Sequence, residues 1–252
     1  RHTRYGTVTG VQTCALPIYL GRFDAANAAG IAAHYGSVSA VTFIAAQTFV
    51  NGMGETPEGF MPTLLTLLES PGIHIALAIG VMQTGTGRPI RETLHEVLTG
   101  RTMVLLVGGL AVGYFMGDAH WRTVSPFFEG GFKGALCLFL LEMGIVAADR
   151  ISELRKVGAF LIGFGILMPI VHGALGAALG IWAGLSPGGA TMLAAMAASA
   201  SYIAAPPAVR LNLPSANPTY YLTAALAITF PFNVVAGIPL YYAIARALQG
   251  GL

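Results

Sequence analysis

Ala197-Ala198-Ser199-Ala200-Ser201-Tyr202-Ile203-Ala204-Ala205-Pro206-Pro207 stands inside an apolar segment that runs roughly from 188 to 209. A segment of about 20 mostly apolar residues suits a helix that crosses a bilayer. Its interior does not. Proline has no amide proton and blocks continuation of a helix, so two in succession predict a break. Backbone groups freed by a break cannot face lipid; they must line a cavity or be buried in protein. A similar composition recurs at Ala33-His34-Tyr35-Gly36-Ser37-Val38-Ser39-Ala40-Val41-Thr42-Phe43, in the apolar segment 24–49, with Gly36 as the breaker. Two discontinuous helices of matching character point to an all-α membrane protein, a polytopic helical bundle.

The rest of the chain agrees. Hydrophobic residues make up 55% and charged residues 10%, and the mean hydropathy is +0.69, whereas a soluble domain is about a quarter charged. From Val157 onward there is no Asp or Glu, and the only Lys or Arg are Arg210 and Arg246. Seven segments read as spans, roughly 24–49, 61–83, 102–117, 127–148, 157–183, 188–209 and 219–246, the third of them short. Charge and turn residues gather between them. Excess Lys and Arg in short loops mark the cytoplasmic side. Arg22, Arg88, Arg91, Arg101, Arg150, Arg155, Lys156 and Arg210 fall on one side, against Arg122, Lys133 and Arg246 on the other. The loops 84–101 and 149–156 are therefore expected in the cytoplasm.

Residues 1–18 are set apart. Val8 to Ile18 reads as a translated sequencing-library adapter, with Arg1 to Arg4 as its upstream part, so fold reasoning begins at Tyr19. Without Cys14, Cys137 is alone and no internal disulfide is expected. The second broken span is the fourth of five in the stretch 102–246, and the first is followed by a single span before the Arg88 loop. A five-plus-five inverted repeat lacking its first three spans has this layout. The expected division is 19–83, remnant of a first repeat; 84–101, a cytoplasmic linker; and 102–252, a second five-span repeat. In transporters built this way, paired broken helices mark the binding site.

Broken half-helices offer N–H donors to anions at one end and carbonyls to cations at the other. Hydroxyls at Ser37, Ser39, Ser199 and Ser201 could complete such shells without a formal charge, or could simply mediate close helix packing. Glu69 and Glu142 lie near or inside spans, and an intramembrane acid is a functional candidate by default. Glu69 precedes Ser70-Pro71-Gly72, which suggests a further interruption. His34, His74 and His172 match no metal-ligand spacing; His34 is best placed, beside the first break. There is no His-Glu-x-x-His, Gly-x-Ser-x-Gly, phosphate-binding loop or basic stripe. Enzymatic chemistry, cofactor use, ATP hydrolysis and nucleic-acid binding are not expected. A gradient must drive any transport.

Arg150-Ile151-Ser152-Glu153-Leu154-Arg155-Lys156-Val157, Pro169-Ile170-Val171-His172-Gly173 and Leu213-Pro214-Ser215-Ala216-Asn217-Pro218 resemble the sodium-dependent bicarbonate transporter family. The serine-rich break before Pro206-Pro207 and the following Arg210 fit the same order. The resemblance implies a bacterial inner-membrane symporter with ten spans in five-plus-five inverted repeats and separate gate and core domains. It implies that sodium and bicarbonate meet where the broken helices cross, at Gly36, Ser37, Val38 and Ser39 on one and Ser199, Ala200, Ser201 and Tyr202 on the other. It also implies a small cytoplasmic PII-like regulatory trimer as a partner for some members, beside membrane lipid and further copies of the chain. The sequence departs from well-studied members. They carry three serines and an aspartate where this chain has Ser199-Ala200-Ser201-Tyr202, and Ser-Gly where it has Ala204-Ala205. The ion-coupling candidates are His34, Tyr202, Glu69 and Glu142, and two alternatives stay open: a different small anion, or proton coupling through Glu69, Glu142 or His34; and a non-transporting receptor or scaffold on the same fold.

Overall fold

The two segments singled out above each form a pair of short helices. A computed structural model describes residues 16–69, 71–85, 95, 99 and 101–250. In chain order it contains α1 (Ala25–Tyr35), α2 (Ala40–Gly52), α3 (Met61–Glu69), α4 (Pro71–Thr84), α5 (Arg101–Ile151), α6 (Leu154–Trp182), α7 (Pro187–Ala197), α8 (Ala205–Asn212) and α9 (Pro218–Gly250). No strand occurs among the described residues. Most of the adapter-like N-terminus and most of the 84–101 linker, including Arg88 and Arg91, lie outside the described residues. So do the side chains of Arg101, Lys133 and Lys156.

Local chemistry explains the helix starts. Asp24 accepts the Asn27 amide at 2.9 Å, Ser39 that of Thr42 at 3.2 Å, and Ser186 that of Gly189 at 3.0 Å. Asn217 accepts the Thr219 amide at 2.9 Å. Each cap satisfies a donor the helix cannot, worth about 1 kcal/mol. Pro187 and Pro218 follow their caps directly, where a missing amide proton costs nothing. Pro206 and Pro207 lie in the first turn of α8. The pair therefore opens the second half-helix instead of closing the first, and the break lies upstream, at 198–204.

Five stretches are long and apolar enough to cross a membrane: Ala25–Gly52, Met61–Thr84, His120–Ile151, Gly158–Trp182 and Pro218–Gly250. The other two expected segments are the short helix Val107–Gly117 and the α7–α8 pair, neither half of which spans alone. One boundary differs from expectation. The polar stretch 118–126, expected to connect two spans, is helical, and α5 departs from helix only at Gly117 (φ 63°, ψ 172°). Left-handed φ is open to glycine at little cost, whereas polar residues continue a helix readily, so the backbone turns at the glycine.

Small residues set the packing. A Cβ at Gly176 or Gly180 of α6 would come within 2.8 Å of the Ala194 or Ala190 Cα of α7. Where lipid removes the hydrophobic drive between helices, such close approach supplies the dispersion contacts. On the outer face, α5 exposes Leu105, Val112, Tyr114, Phe115 and Leu138. A continuous apolar exposure of this kind suits lipid or other membrane helices, not water.

Polar groups sort to two ends. At one, the Asn217 amide donates to Asn27, itself bonded to Asp24, while Arg150 pairs with Glu153 at 2.9 Å. At the other, reached by following α1–α2, α6 or α9 through the bundle, Arg246 pairs with Glu55 at 3.3 Å and Glu58 accepts the Ser186 amide at 2.7 Å. Arg150 and Arg210 both act on the Tyr221 hydroxyl and so share an end, apart from Arg246. For these three cations the ends agree with the alternation read from the loops.

The tightest backbone approach predicts an asymmetry. A Cβ at Gly72 would overlap the Gly36 carbonyl, whereas one at Gly52 would meet nothing within 4 Å. Overpacking costs about 1–3 kcal/mol. Gly72→Ala should lower the thermal unfolding temperature in detergent by several degrees or abolish folded yield, and Gly52→Ala should leave both near the parent value.

Candidate functional site

Each break strands backbone groups in a mostly apolar interior, and each is completed by the other. The Ser39 amide donates to the Ser199 hydroxyl at 2.8 Å, and the Ser201 amide donates to the His34 carbonyl at 2.8 Å. The C-terminal ends of α1 and α7 and the N-terminal ends of α2 and α8 thereby converge on one buried crossing. Carbonyl ends offer partial negative charge and amide ends partial positive charge. Such a crossing sets hydrogen-bond donors and acceptors side by side in the membrane interior.

The four serines have different duties. Ser199 is saturated as a donor, giving its proton to the Met196 carbonyl at 2.8 Å while accepting from Ser39. Ser37 gives its proton to the Glu69 carbonyl at 2.5 Å, which leaves its lone pairs as acceptors. Ser39 and Ser201 act as acceptors, from Thr42 at 3.2 Å and from Ala205 at 3.4 Å, and keep their hydroxyl protons for other partners. Since a hydroxyl offers one donor and two lone pairs, Ser39 and Ser201 are equipped to meet an anion and Ser37 to meet a cation. Val38 and Ala200 contribute backbone to the breaks while their side chains pack into the core. Gly36 is there for close approach to Gly72.

The expected ion-coupling residues divide. His34 is fully buried. Its Nδ1 donates to the Gly30 carbonyl at 2.7 Å, and its ring stacks on Tyr221 with centroids 4.5 Å apart. Its Nε2 has no hydrogen-bond partner. Tyr202 packs edge-on to Phe230 at 5.4 Å and brings its hydroxyl beside that of Ser39, though without a well-formed hydrogen bond. Glu69 ends α3, and its carbonyl accepts the Ser37 hydroxyl of the first break; the interruption expected at Ser70 lies outside the described residues. Glu142 is exposed on α5. The structure does not bring it to the buried crossing.

Sequence reasoning passed over α9. Its backbone widens to π-helix at Thr223–Thr229 and at Asn233–Gly237, a form that recurs at functional sites. Fully buried Asn233 donates to the Ala198 carbonyl at 2.9 Å, closing the C-terminal end of α7, and accepts from Tyr241 at 2.7 Å. Thr229 gives its proton to the Gly165 carbonyl at 2.7 Å, so the 2.6 Å contact with Tyr35 must be donated by the tyrosine. The available signal was a lone Asn in the apolar run Phe230-Pro231-Phe232-Asn233-Val234-Val235. Among the described residues no group of three or more His, Cys, Asp or Glu could hold a metal ion.

The unequal duties of the serines are measurable. Ser199→Ala removes the acceptor of a buried amide, a loss of about 1–3 kcal/mol. Ser201→Ala leaves the Ser201 amide bonded to His34 and removes only a long contact. Thermal unfolding in detergent should show a clear drop for Ser199→Ala and a small one for Ser201→Ala.

A search among curated proteins returns no match to this chain. A family model does match, over residues 3–246, and its description is the Na+-dependent bicarbonate transporter superfamily. With two broken helices crossing inside an apolar bundle and a match that covers nearly the whole sequence, the chain belongs to that superfamily.

Proposed function

We propose that this protein is a secondary active transporter that carries a small anion, bicarbonate, together with sodium at the crossing of its two broken helices. The crossing itself carries the reading: Ser39 to Ser199 and Ser201 to His34 join two helix interruptions whose amide and carbonyl ends meet in the membrane interior. Bicarbonate is a planar anion whose oxygens need several donors. The unused hydroxyl protons of Ser39 and Ser201, the neighbouring Tyr202 hydroxyl and the N-terminal ends of α2 and α8 are donors of the right kind. Sodium needs oxygen acceptors, which the Ser37 hydroxyl and the C-terminal carbonyls of α1 and α7 offer.

An inverted repeat is supported by how each break is stitched to the span that follows it. Ser37 of the first break bonds the Met61–Thr84 span at Glu69, and Ala198 of the second bonds α9 at Asn233. On this reading the end carrying Arg22, Arg150 and Arg210 faces the cytoplasm of a bacterial inner membrane. Basic loops on that face are where a PII-like regulator would dock. Alternating access then moves the crossed helices as one body, since separating them would leave buried amides unpaired.

Radiolabelled bicarbonate uptake by the intact protein in vesicles tests the proposal. Uptake should rise when an inward sodium gradient is imposed at constant pH, and Ser201→Ala, which removes a hydroxyl but keeps the amide bond to His34, should lower it severalfold without loss of folded protein. Equal uptake with and without the gradient would remove sodium coupling.

A further inference from the structure

We infer that the Glu69 carboxylate is the anionic ligand of the coupling cation, an assignment that rests on the sodium-coupled reading above. Among the described residues, Glu69 is the only Asp, Glu, Lys or Arg whose side chain is buried, at 5% exposure. Burying a carboxylate is costly unless it is paired, hydrogen-bonded or bound to a cation. The ion pairs formed by the described residues are Arg150–Glu153 and Arg246–Glu55, and neither includes it. Its Oε2 has no hydrogen-bond partner.

Its position adds an independent reason. Glu69 lies in the interior of the span Met61–Thr84. Its own carbonyl accepts the Ser37 hydroxyl at 2.5 Å. Three residues on, Gly72 presses its backbone against Gly36 at the C-terminal end of α1. The carboxylate therefore springs from the place where this span touches the first break. That is also the acceptor side of the crossing, where Ser37 has spent its proton and α1 ends in carbonyls. Among the described residues at the crossing, Ser37, Ser39, Ser199, Ser201, Tyr202 and Asn233 bring no negative charge.

The charge explains coupling as well as binding. An ionised Glu69 repels an incoming anion. A bound sodium ion cancels that charge, so the anion binds well only after the cation, and neither leaves easily without the other.

The test uses intact protein, with bicarbonate uptake into vesicles measured against sodium concentration at fixed pH. A second readout is the rise in unfolding temperature that sodium alone produces in detergent. Glu69→Gln should raise the half-saturating sodium concentration by at least about tenfold, the scale on which metal sites respond to loss of a supporting group, and should erase the sodium-induced thermal shift. Glu69→Asp should recover part of both. Wild-type sodium half-saturation and thermal shift in Glu69→Gln would overturn the assignment while leaving the transporter reading intact. If Glu69→Gln does not fold, Glu69→Asp decides, because moving the carboxylate by one methylene with no change in sodium dependence also overturns it. A parent protein whose uptake ignores sodium defeats the underlying reading, and uptake that follows a pH gradient and vanishes in Glu69→Gln makes the carboxylate a proton carrier, not a cation ligand.

Discussion

Buried backbone groups must find partners, and in this protein the partners of one broken helix are supplied by the other. Ser39 and Ser201 donate across the crossing, to Ser199 and to His34. Each unpaired buried group would cost about 1–3 kcal/mol, and hydrocarbon offers no water as a substitute. Neither break is therefore stable by itself. The irregular neighbours follow from the same need. The α9 helix widens to place Asn233 on the Ala198 carbonyl, and the Glu69 carbonyl of the Met61–Thr84 span takes the Ser37 hydroxyl. Close approach requires glycine at both Gly36 and Gly72. Each break is answered by a polar group of the span that follows it.

Much of this was legible in the residues, because the signals were local. Prolines and a glycine among hydroxyl residues announced both breaks. The serines were singled out because hydroxyls beside a helix breaker suit an ion site, although the same residues also suit close helix packing. What escaped needed a partner to be known. Asn233 looks like a stray polar residue until the Ala198 carbonyl is placed beside it. Thr229 and Tyr35 are ordinary residues until the single proton of a threonine hydroxyl is counted. Glu69 and Glu142 were indistinguishable by hydropathy, and only burial parts them, one inside and one exposed. The 118–126 stretch misled for a different reason. Polarity was taken as a sign of a turn, whereas the backbone turns where glycine permits it, at Gly117.

Position 202 is recast by these contacts. Read against the family pattern, Tyr202 is an aspartate lost. In the structure its ring packs on Phe230 and its hydroxyl lies beside Ser39, on the side of the crossing where hydroxyl protons are available. A phenol there serves an anion better than a carboxylate would. The acceptor side, at Ser37 and the end of α1, has Glu69 within the same contact network. The wall of the site is thus divided between donors on one flank and acceptors on the other.

That division bears on why a symporter would carry two ions of opposite sign. Two unit charges about 5 Å apart attract by about 3 kcal/mol at an effective dielectric near 20, which is roughly a hundredfold in affinity. A fixed carboxylate beside the cation leaves this pairwise attraction unchanged, because it opposes the anion equally in the presence and absence of the cation and only lowers the anion's affinity when it is alone. A wall with a fixed positive charge near the anion would hold it whether or not the cation was present, and the coupling would be lost. Hydroxyls and helix ends, rather than Arg or Lys, are what coupled transport of an anion requires at this crossing.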